Sequence, residues 1–346
     1  MDPISSYFVW DADPILVHLG TLHLPFTISI YGLVAAVILY IFGANRLEKQ
    51  ARQKTHGRQE AVEPDPLKMW ALVIGSFIIG QLIFLIIPSP GFSQIGPVEI
   101  RWYGLLFASA FVTGYFIEKK LFLDSGRTVE ELERLLTYVL IATVIGARLG
   151  HVIFYDLGYY LNNPGEIIAI WHGGLASHGA AIGILLAMWL YVQKKPKMSF
   201  LWLADRVVIP VAIGGAFIRT GNFFNSEIIG RPTDLPWAVV FQRVDMLPRH
   251  PSMLYEALLS VLVFALLWVI YKKYAPNPPE GLIFGVFLIT LFTGRFLIEF
   301  TKVRQAAFAG NWEFSMGQIL SVPLVLAGIW IIWKKTDWSK PTTSES

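Results

Sequence analysis

Nine stretches of the chain are apolar over a length that suits a membrane-spanning helix, which needs about 20 residues. They cover residues 24–44, 68–88, 100–122, 134–156, 173–193, 200–220, 252–271, 281–300 and 316–334. Shorter polar segments separate them. This pattern predicts an all-α polytopic membrane protein with about nine transmembrane helices.

Lysine and arginine cluster in every second connection between these stretches. The basic connections hold Arg46, Lys49, Arg52, Lys54 and Arg58, then Lys119, Lys120, Arg127 and Arg134, then Lys194, Lys195 and Lys197, then Lys272 and Lys273, then Lys334 and Lys335. Because basic connections favour the cytoplasmic side, the N-terminus is predicted outside and the C-terminus in the cytoplasm. Residues 221–251 are then expected to form a small extracytoplasmic cap, and residues 337–346 a cytoplasmic tail.

The composition agrees with a membrane protein and limits the chemistry. Charged residues make up 15% of the chain, against about 25% in soluble domains. The net charge of +3 is small, so nucleic-acid binding is not predicted. The chain has no cysteine. A thiol in the reaction must therefore come from a substrate.

The strongest candidate for chemistry follows the sixth apolar stretch. It contains Arg219, Gly221, Asn222, Asn225, Glu227, Gly230 and Arg231. Charged groups at the edge of a bilayer are costly unless they have a task. An arginine fork matches phosphate oxygens two at a time, and the asparagine amides add further donors. The alternative is a structural ion pair between Arg219 and Glu227 at a helix end.

Other polar residues lie within or beside apolar stretches. His178 is a candidate general base, or else a hydrogen-bonded histidine on a glycine-rich packing face. Arg295 and Glu299 are four residues apart and so share a helix face. They either form a self-neutralising pair or place a second guanidinium near a phosphate.

The remaining candidates are Tyr103, Arg148 and Glu256. Tyr103 is an interface anchor by default and a headgroup contact by hypothesis. Arg148 has a structural alternative, an ion pair with one of the glutamates. Glu256 lies at the start of the seventh stretch, after Ser252, which is predicted to cap that helix. A buried carboxylate needs a partner, and an arginine of the site is a candidate for Glu256.

Taken together and in order, these motifs resemble those of the bacterial prolipoprotein diacylglyceryl transferase family. The motifs are Arg101-Trp-Tyr103-Gly, Gly174-Leu-Ala-Ser177-His178-Gly, the segment from Arg219 to Arg231, Arg249-His-Pro-Ser-Met-Leu-Tyr-Glu256, Gly294-Arg-Phe-Leu-Ile-Glu299-Phe and Met316-Gly-Gln318. A typical member of this family resembles a membrane protein with seven spans. The resemblance therefore implies a catalytic core at residues 96–336, preceded by residues 1–95 with two extra spans.

The resemblance implies a bacterial inner-membrane enzyme that needs neither a cofactor nor a metal. Such an enzyme transfers the diacylglyceryl group of phosphatidylglycerol to the lipobox cysteine thiol of a prolipoprotein. His178, Arg219 and Arg295 are then the expected catalytic residues. Substrate binding would fall to Tyr103, Arg148, Asn222, Asn225, Glu227, Gly230, Glu256 and Glu299. Membrane lipids are further expected partners. The sequence does not fix the oligomeric state, and a monomer is compatible with this hypothesis.

Two hypotheses of other classes compete with the transferase. A transporter for an anionic solute would line its path with the same arginines. A structural or assembly protein would use the charges only as ion pairs. Neither rival predicts that glycerol phosphate is released from phosphatidylglycerol.

Overall fold

The computed structural model describes residues 7–29, 33, 35–40, 43, 66–83, 91–95, 98–170, 173–195, 198–303 and 314–336. The chain forms two compact units. One comprises Met1–Pro14 and Arg101–Ser346, and the other comprises Ile15–Ile100.

The protein is predominantly helical, with a few short strands. The helices are α1 (Pro66–Ile83), α2 (Trp102–Asp124), α3 (Val129–Phe154), α4 (Leu157–Asn162), α5 (Ser177–Gln193), α6 (Phe200–Phe224), α7 (Ser252–Tyr274), α8 (Leu282–Ile298) and α9 (Met316–Lys334). The strands are β1 (Phe8–Trp10), β2 (Ile15–Leu19), β3 (Leu22–Ser29), β4 (Gly91–Ile95), β5 (Val98–Arg101), β6 (Val239–Phe241) and β7 (Pro248–Arg249). Short 3₁₀ helices cover Pro164–Ile168 and Glu299–Thr301.

Five helices of the described residues are long and apolar enough to cross a membrane. They are Val129–Phe154, Phe200–Phe224, Ser252–Tyr274, Leu282–Thr301 and Met316–Lys334. This supports the prediction of a polytopic membrane protein. In the smaller unit, β2 pairs with β5 and β3 pairs antiparallel with β4. The first predicted span, 24–44, therefore begins in a strand, and about a third of it lies outside the described residues.

Side-chain caps set where several helices begin. The hydroxyls of Thr128 and Ser199 accept hydrogen bonds from backbone amides in the first turns of α3 and α6. Ser315 and Gln318 form a capping box at the start of α9. Such caps satisfy amides that have no partner inside the helix.

Helix α6 is central to the bundle, because it packs against α2, α7 and α8. Leu121, Ile209, Leu267 and Ile283, one from each of these four helices, are completely buried in a shared core. At the start of α6, the Asp205 carboxylate accepts hydrogen bonds from the Gly281 and Phe284 amides. This contact fixes the start of α8 against α6, far along that helix from Arg219.

Glycines bring α3 and α5 into direct backbone contact. A Cβ atom added to Gly179 would lie 2.3 Å from the Gly146 carbonyl oxygen and 2.7 Å from the Gly150 Cα. Small residues allow such close packing between helices in a membrane. Helix α5 begins at Ser177, later than the predicted span 173–193, because Gly173 and Gly174 adopt positive φ angles.

A three-stranded sheet lies next to the end of α6. Strand β1 pairs in parallel with β6, which pairs antiparallel with β7. The Trp10 indole donates to the Phe223 carbonyl at 3.1 Å. The apolar pattern does not predict this sheet, because the pairing of β1 with β6 joins residues more than 220 positions apart.

Candidate active site

Arg219 lies in the final turns of α6 and reaches across to α7. Its Nε lies 2.9 Å from Glu256 Oε2, and its Nη1 donates to Asn222 Oδ1 at 3.2 Å. The ion pair that α6 forms is therefore with Glu256 and not with Glu227, as the structural alternative had supposed. Glu256 is buried, with its side chain only 6% exposed.

Glu227 gathers two amides in the turn that follows α6. It accepts hydrogen bonds from Asn222 Nδ2 at 2.8 Å and from Asn225 Nδ2 at 3.1 Å. Ser226 and Ile228 adopt φ angles of 54° and 57°. These angles are unfavourable for residues with a Cβ atom, particularly for isoleucine. Backbone strain of this kind concentrates at functional sites, where surrounding contacts hold it.

Gly230 follows this turn at a point where the chain is tightly enclosed. Its amide donates to the His250 carbonyl at 2.9 Å, and the next amide, of Arg231, donates to the Thr301 carbonyl at 2.9 Å. A Cβ atom at position 230 would lie 2.5 Å from the His250 carbonyl oxygen and 2.6 Å from Ser252 Oγ. The structure therefore assigns Gly230 a packing role, because no other residue fits between these groups.

The prediction that Ser252 caps α7 is wrong. The capping position is occupied by Pro251, and no side chain caps the helix. The Ser252 hydroxyl instead lies 2.8 Å from Thr301 Oγ1. The Leu254 amide, in the first turn of α7, donates to the Pro251 carbonyl and so needs no side-chain cap.

Lys302 is a central residue of the cluster that the sequence analysis missed. Its Nζ lies 2.8 Å from Glu256 Oε1 and 3.1 Å from Glu299 Oε2, with its side chain 10% exposed. Glu256 therefore bridges two cations, Arg219 and Lys302. Glu299 contacts Lys302 and does not form the self-neutralising pair with Arg295 that was one of the two alternatives.

The motif Met316-Gly-Gln318 packs against Glu299. A Cβ atom on Gly317 would lie 2.7 Å from the Glu299 carboxyl carbon. Gln318 is buried and its amide donates to the Phe296 carbonyl at 3.5 Å. The start of α9 thus packs directly on the carboxylate.

Arg295 faces a cavity that Arg219 and Glu256 also line. The cavity has a volume of about 170 Å³ and lies between α6, α7 and α8. Among the described residues, no carboxylate lies within ion-pair distance of Arg295. The cavity therefore has one guanidinium already paired with a carboxylate and a second guanidinium available to an anion.

Tyr103 packs against the end of α6, two residues beyond Arg219. A Cβ atom on Gly221 would lie 2.8 Å from a ring carbon of Tyr103, so the tyrosine packs directly on α6. Its neighbour Trp102 stacks on Phe224 at a centroid distance of 4.8 Å. These contacts hold the start of α2 against the end of α6.

The His178 side chain packs against aromatic residues at the end of α3. The His178 ring is exposed and contacts Phe154 and Tyr155, with ring centroids 5.2 Å and 5.7 Å away. None of its described contacts is with Arg219, Glu256 or Arg295.

Arg148 is buried in a cage of backbone carbonyls. Its guanidinium donates to the carbonyls of Glu166, Ile167, Gly173 and Gly174. It therefore orders the loop before α5, and it forms none of the ion pairs with Glu227, Glu256 or Glu299 that were its structural alternative. Four of its five N–H donors are used in this way, which leaves little for a substrate.

His250, whose carbonyl accepts from the Gly230 amide, lies in surroundings that disfavour a charged imidazole. Burial, and to a smaller extent the nearby Arg231 charge, lower the pKa of the His250 imidazole. Its Nδ1 lies 3.3 Å from the Tyr255 hydroxyl, which accepts a hydrogen bond from the Trp237 indole. These contacts hold the loop before α7.

Lys302→Met should weaken both the fold and the activity. Without the ammonium, Glu256 and Glu299 lose the cation that lies between them. A hydrogen bond to a charged group contributes about 1.5–3 kcal/mol, so we expect a loss of that order in the free energy of unfolding and a fall of roughly tenfold in kcat/KM. Thermal unfolding in detergent and lipid-transfer kinetics would measure the two effects.

Lys302→Arg keeps the charge and should recover most of both losses. A Met variant with unchanged stability and unchanged kcat/KM would show that Lys302 is not a positioning residue.

Most of the chain matches a known protein family. Residues 90–334 match the profile of the family described as Prolipoprotein diacylglyceryl transferase. This chain belongs to the prolipoprotein diacylglyceryl transferase family. The matched segment contains Arg219, Glu256, Arg295 and Lys302.

Curated relatives bear the name phosphatidylglycerol–prolipoprotein diacylglyceryl transferase. The protein of Tolumonas auensis is 51% identical over 236 residues, which cover 68% of this chain and 91% of that protein. The protein of Chloroherpeton thalassium is 46% identical over 246 residues, or 71% of this chain and 92% of its own length. The protein of Porphyromonas gingivalis is 46% identical over 252 residues. The chain thus spans most of the length of these transferases.

Proposed function

We propose that this protein transfers the diacylglyceryl group of phosphatidylglycerol to the lipobox cysteine of prolipoproteins. Family membership supports the reaction class. The observation that carries the assignment to a site is the cavity in which Arg219, Glu256 and Arg295 meet. In the reaction, the thiolate sulfur bonds to the terminal glyceryl carbon while the C–O bond to phosphate breaks. The departing electron pair stays on glycerol phosphate.

The two arginines suit the leaving group. Negative charge grows on the phosphate as the C–O bond breaks, and fixed donors aimed at such charge contribute strongly to rate. Arg295 has no carboxylate partner among the described residues, so it supplies the uncompensated charge. Arg219 is held in place by Glu256 and Asn222 and offers its remaining donors.

The other polar residues of the cluster orient the headgroup and the arginines. Asn222 and Asn225, bound to Glu227, present amides at the end of α6. Tyr103 packs against Gly221 near the same end of α6. Glu299 acts through Lys302 on Glu256. Arg148 contributes by ordering the loop that precedes α5.

His178 is proposed to take the thiol proton. A free thiol has a pKa of about 8.5, so a base assists its ionisation near neutral pH. The exposed His178 ring stands at the start of α5, where an incoming peptide can reach it.

His178→Gln should reduce turnover of a lipobox peptide by about 10²-fold or more, as expected for loss of a general base. The loss should shrink at high pH, where the thiol ionises unaided. A matched control is His151→Gln, because His151 stacks on the same Tyr155 ring with centroids 5.4 Å apart. Near-normal turnover by the His178 variant between about pH 6 and pH 9 would contradict the base assignment.

The membrane arrangement is part of this proposal. We infer about nine spans, with the N-terminus outside, the C-terminus in the cytoplasm and residues 221–251 as an extracytoplasmic cap of a bacterial inner-membrane protein. Residues 96–336 would form the catalytic core, residues 1–95 would contribute two extra spans, and residues 337–346 a tail. Five apolar helices and the alternating basic connections support this arrangement. It places the Arg219 cluster on the side where exported prolipoproteins arrive.

A release assay separates the transferase from its two rivals. Purified protein, phosphatidylglycerol and a lipobox peptide should together release glycerol phosphate. Omission of the peptide, or replacement of its cysteine by serine, should stop the release. A transporter or a structural protein would release none under any of these conditions.

A further inference from the structure

The cavity lined by Arg219, Glu256 and Arg295 changes from charged to less polar residues one helical turn away from these side chains. Arg219, Glu256 and Arg295 line its charged end. Gly215 and Ser260 also line it, four residues from Arg219 and Glu256 respectively. A four-residue spacing keeps a side chain on the same helix face, one turn or about 5.4 Å further along. Because α6 and α7 meet here with opposite chain directions, both residues lie on the deeper side of the charged layer.

The rest of the cavity wall is apolar. Its other lining residues are Val211, Ala212, Leu259, Leu291 and Phe292. Ser260 is thus the polar side chain that lines the cavity between the charged end and the apolar end. A phosphate, an intermediate polar layer and an apolar tail are the three parts of a glycerophospholipid, in the same order.

The Ser260 hydroxyl is available for a ligand. Ser260 is buried, yet within the described part of the chain its hydroxyl has no hydrogen-bond partner. A serine inside a helix commonly bonds the carbonyl four residues earlier, as Ser321 does with Gly317 at 2.7 Å. Ser260 makes no such bond to Glu256.

Gly215 keeps this hydroxyl uncovered. A Cβ atom at position 215 would lie 2.9 Å from Ser260 Oγ and 3.5 Å from Ser260 Cβ. Any side chain there would therefore press on the serine and occupy the space in front of it. The pair Gly215 and Ser260 creates a small polar niche on the path from the charged end to the apolar end.

We propose that Ser260 donates a hydrogen bond to an ester carbonyl of the bound diacylglyceryl group. The ester carbonyls follow the phosphate after the short glycerol backbone and precede the acyl chains. A phosphate held by Arg295 and Arg219 therefore brings an ester to the level of Ser260. This inference rests on the proposed function, and it makes Ser260 a residue that selects ester-linked over ether-linked lipid.

The test compares two donors, diacyl phosphatidylglycerol and its dialkyl ether analogue, which lacks the carbonyls. The wild-type protein should prefer the ester in kcat/KM by roughly five- to tenfold, the value of one neutral hydrogen bond. Ser260→Ala should lose this preference by slowing the ester reaction alone. Ser260→Thr keeps the hydroxyl and should retain the preference.

Two further variants complete the design. Ser321→Ala removes a buried helical hydroxyl that bonds its own helix and should leave the ester-to-ether ratio unchanged. Gly215→Ala should lower kcat/KM for both lipids, since its methyl group fills the niche. A Ser260→Ala protein that turns over the ester lipid with the wild-type ester-to-ether ratio would overturn the inference. In that case transfer still occurs, so the proposed function stands. Failure of the wild-type protein on both lipids would instead contradict the proposed function.

Discussion

Arg219→Lys should lower kcat/KM for phosphatidylglycerol by about 10²-fold or more, the effect of removing a donor that stabilises transition-state charge. In the structure the Arg219 Nε faces Glu256, and one Nη1 donor binds Asn222. Three of the five N–H donors remain for a ligand. A lysine ammonium concentrates its three donors on one atom and cannot hold Glu256, Asn222 and a phosphate together. Initial rates of glycerol phosphate release with a lipobox peptide would measure the loss.

Arg206→Lys is the matched control for this variant. Arg206 also lies on α6 and is almost completely buried, but it binds Ser125, the Trp202 carbonyl and the Pro276 carbonyl. Its replacement should lower the thermal unfolding temperature and leave kcat/KM of the folded enzyme near the wild-type value. If Arg219→Lys behaves in the same way, Arg219 is a structural residue.

Glu256→Gln should damage stability and activity together. The carboxylate separates and neutralises two cations, Arg219 at 2.9 Å and Lys302 at 2.8 Å. Breaking a buried pair costs about 3–5 kcal/mol because the remaining charge has no partner. We expect the lower end of that range, since the Arg219 side chain is still 21% exposed. Activity should fall as well, because the amide no longer holds the Arg219 guanidinium in place.

Glu118→Gln provides the comparison for Glu256→Gln. Glu118 is a buried glutamate on α2, and neither carboxylate oxygen has a hydrogen-bond partner among the described residues. Burial of a carboxylate without hydrogen bonds is unfavourable, so the neutral amide should be tolerated or slightly stabilising. Equal losses of unfolding temperature in the two variants would argue against a special role for Glu256.

The apolar pattern predicted the membrane character of the bundle and the approximate position of its helices. Helices α6 to α9 fall on predicted stretches because each apolar run ends at polar or basic residues. The observed elements differ from the predicted spans where backbone geometry sets the start of an element. The positive φ angles of Gly173 and Gly174 delay the start of α5, and strand β3 occupies the start of the first predicted span.

The residues of the candidate site were predicted by type, and an arginine was a candidate partner for Glu256, but the individual contacts were not predicted. Arginine, asparagine and glutamate at the end of an apolar run are costly to place at the edge of a bilayer, and this cost marks them as candidate functional residues. The contact between Arg219 and Glu256 joins two helices, and no spacing rule within one helix predicts it. Lys302 escaped notice because a lysine just after an apolar stretch is ordinarily an interfacial residue.

Backbone partners gave no signal at all. Arg148 is held by four carbonyl oxygens, and every residue has such an oxygen. The sequence gives no indication of a role for Ser260 either, because a single serine in an apolar helix usually forms a hydrogen bond with its own backbone. In both cases the tertiary packing of the helices decides the role.

The most direct test of the central claim follows the transferred group itself. Purified protein is supplied with phosphatidylglycerol that carries deuterium in its diacylglyceryl group, together with a lipobox peptide. Mass spectrometry should then show the peptide cysteine enlarged by the labelled diacylglyceryl group, in equal amount to the glycerol phosphate released. Arg295→Ala protein should form neither product. Glycerol phosphate released without labelled peptide, or no product from wild-type protein, would contradict the account.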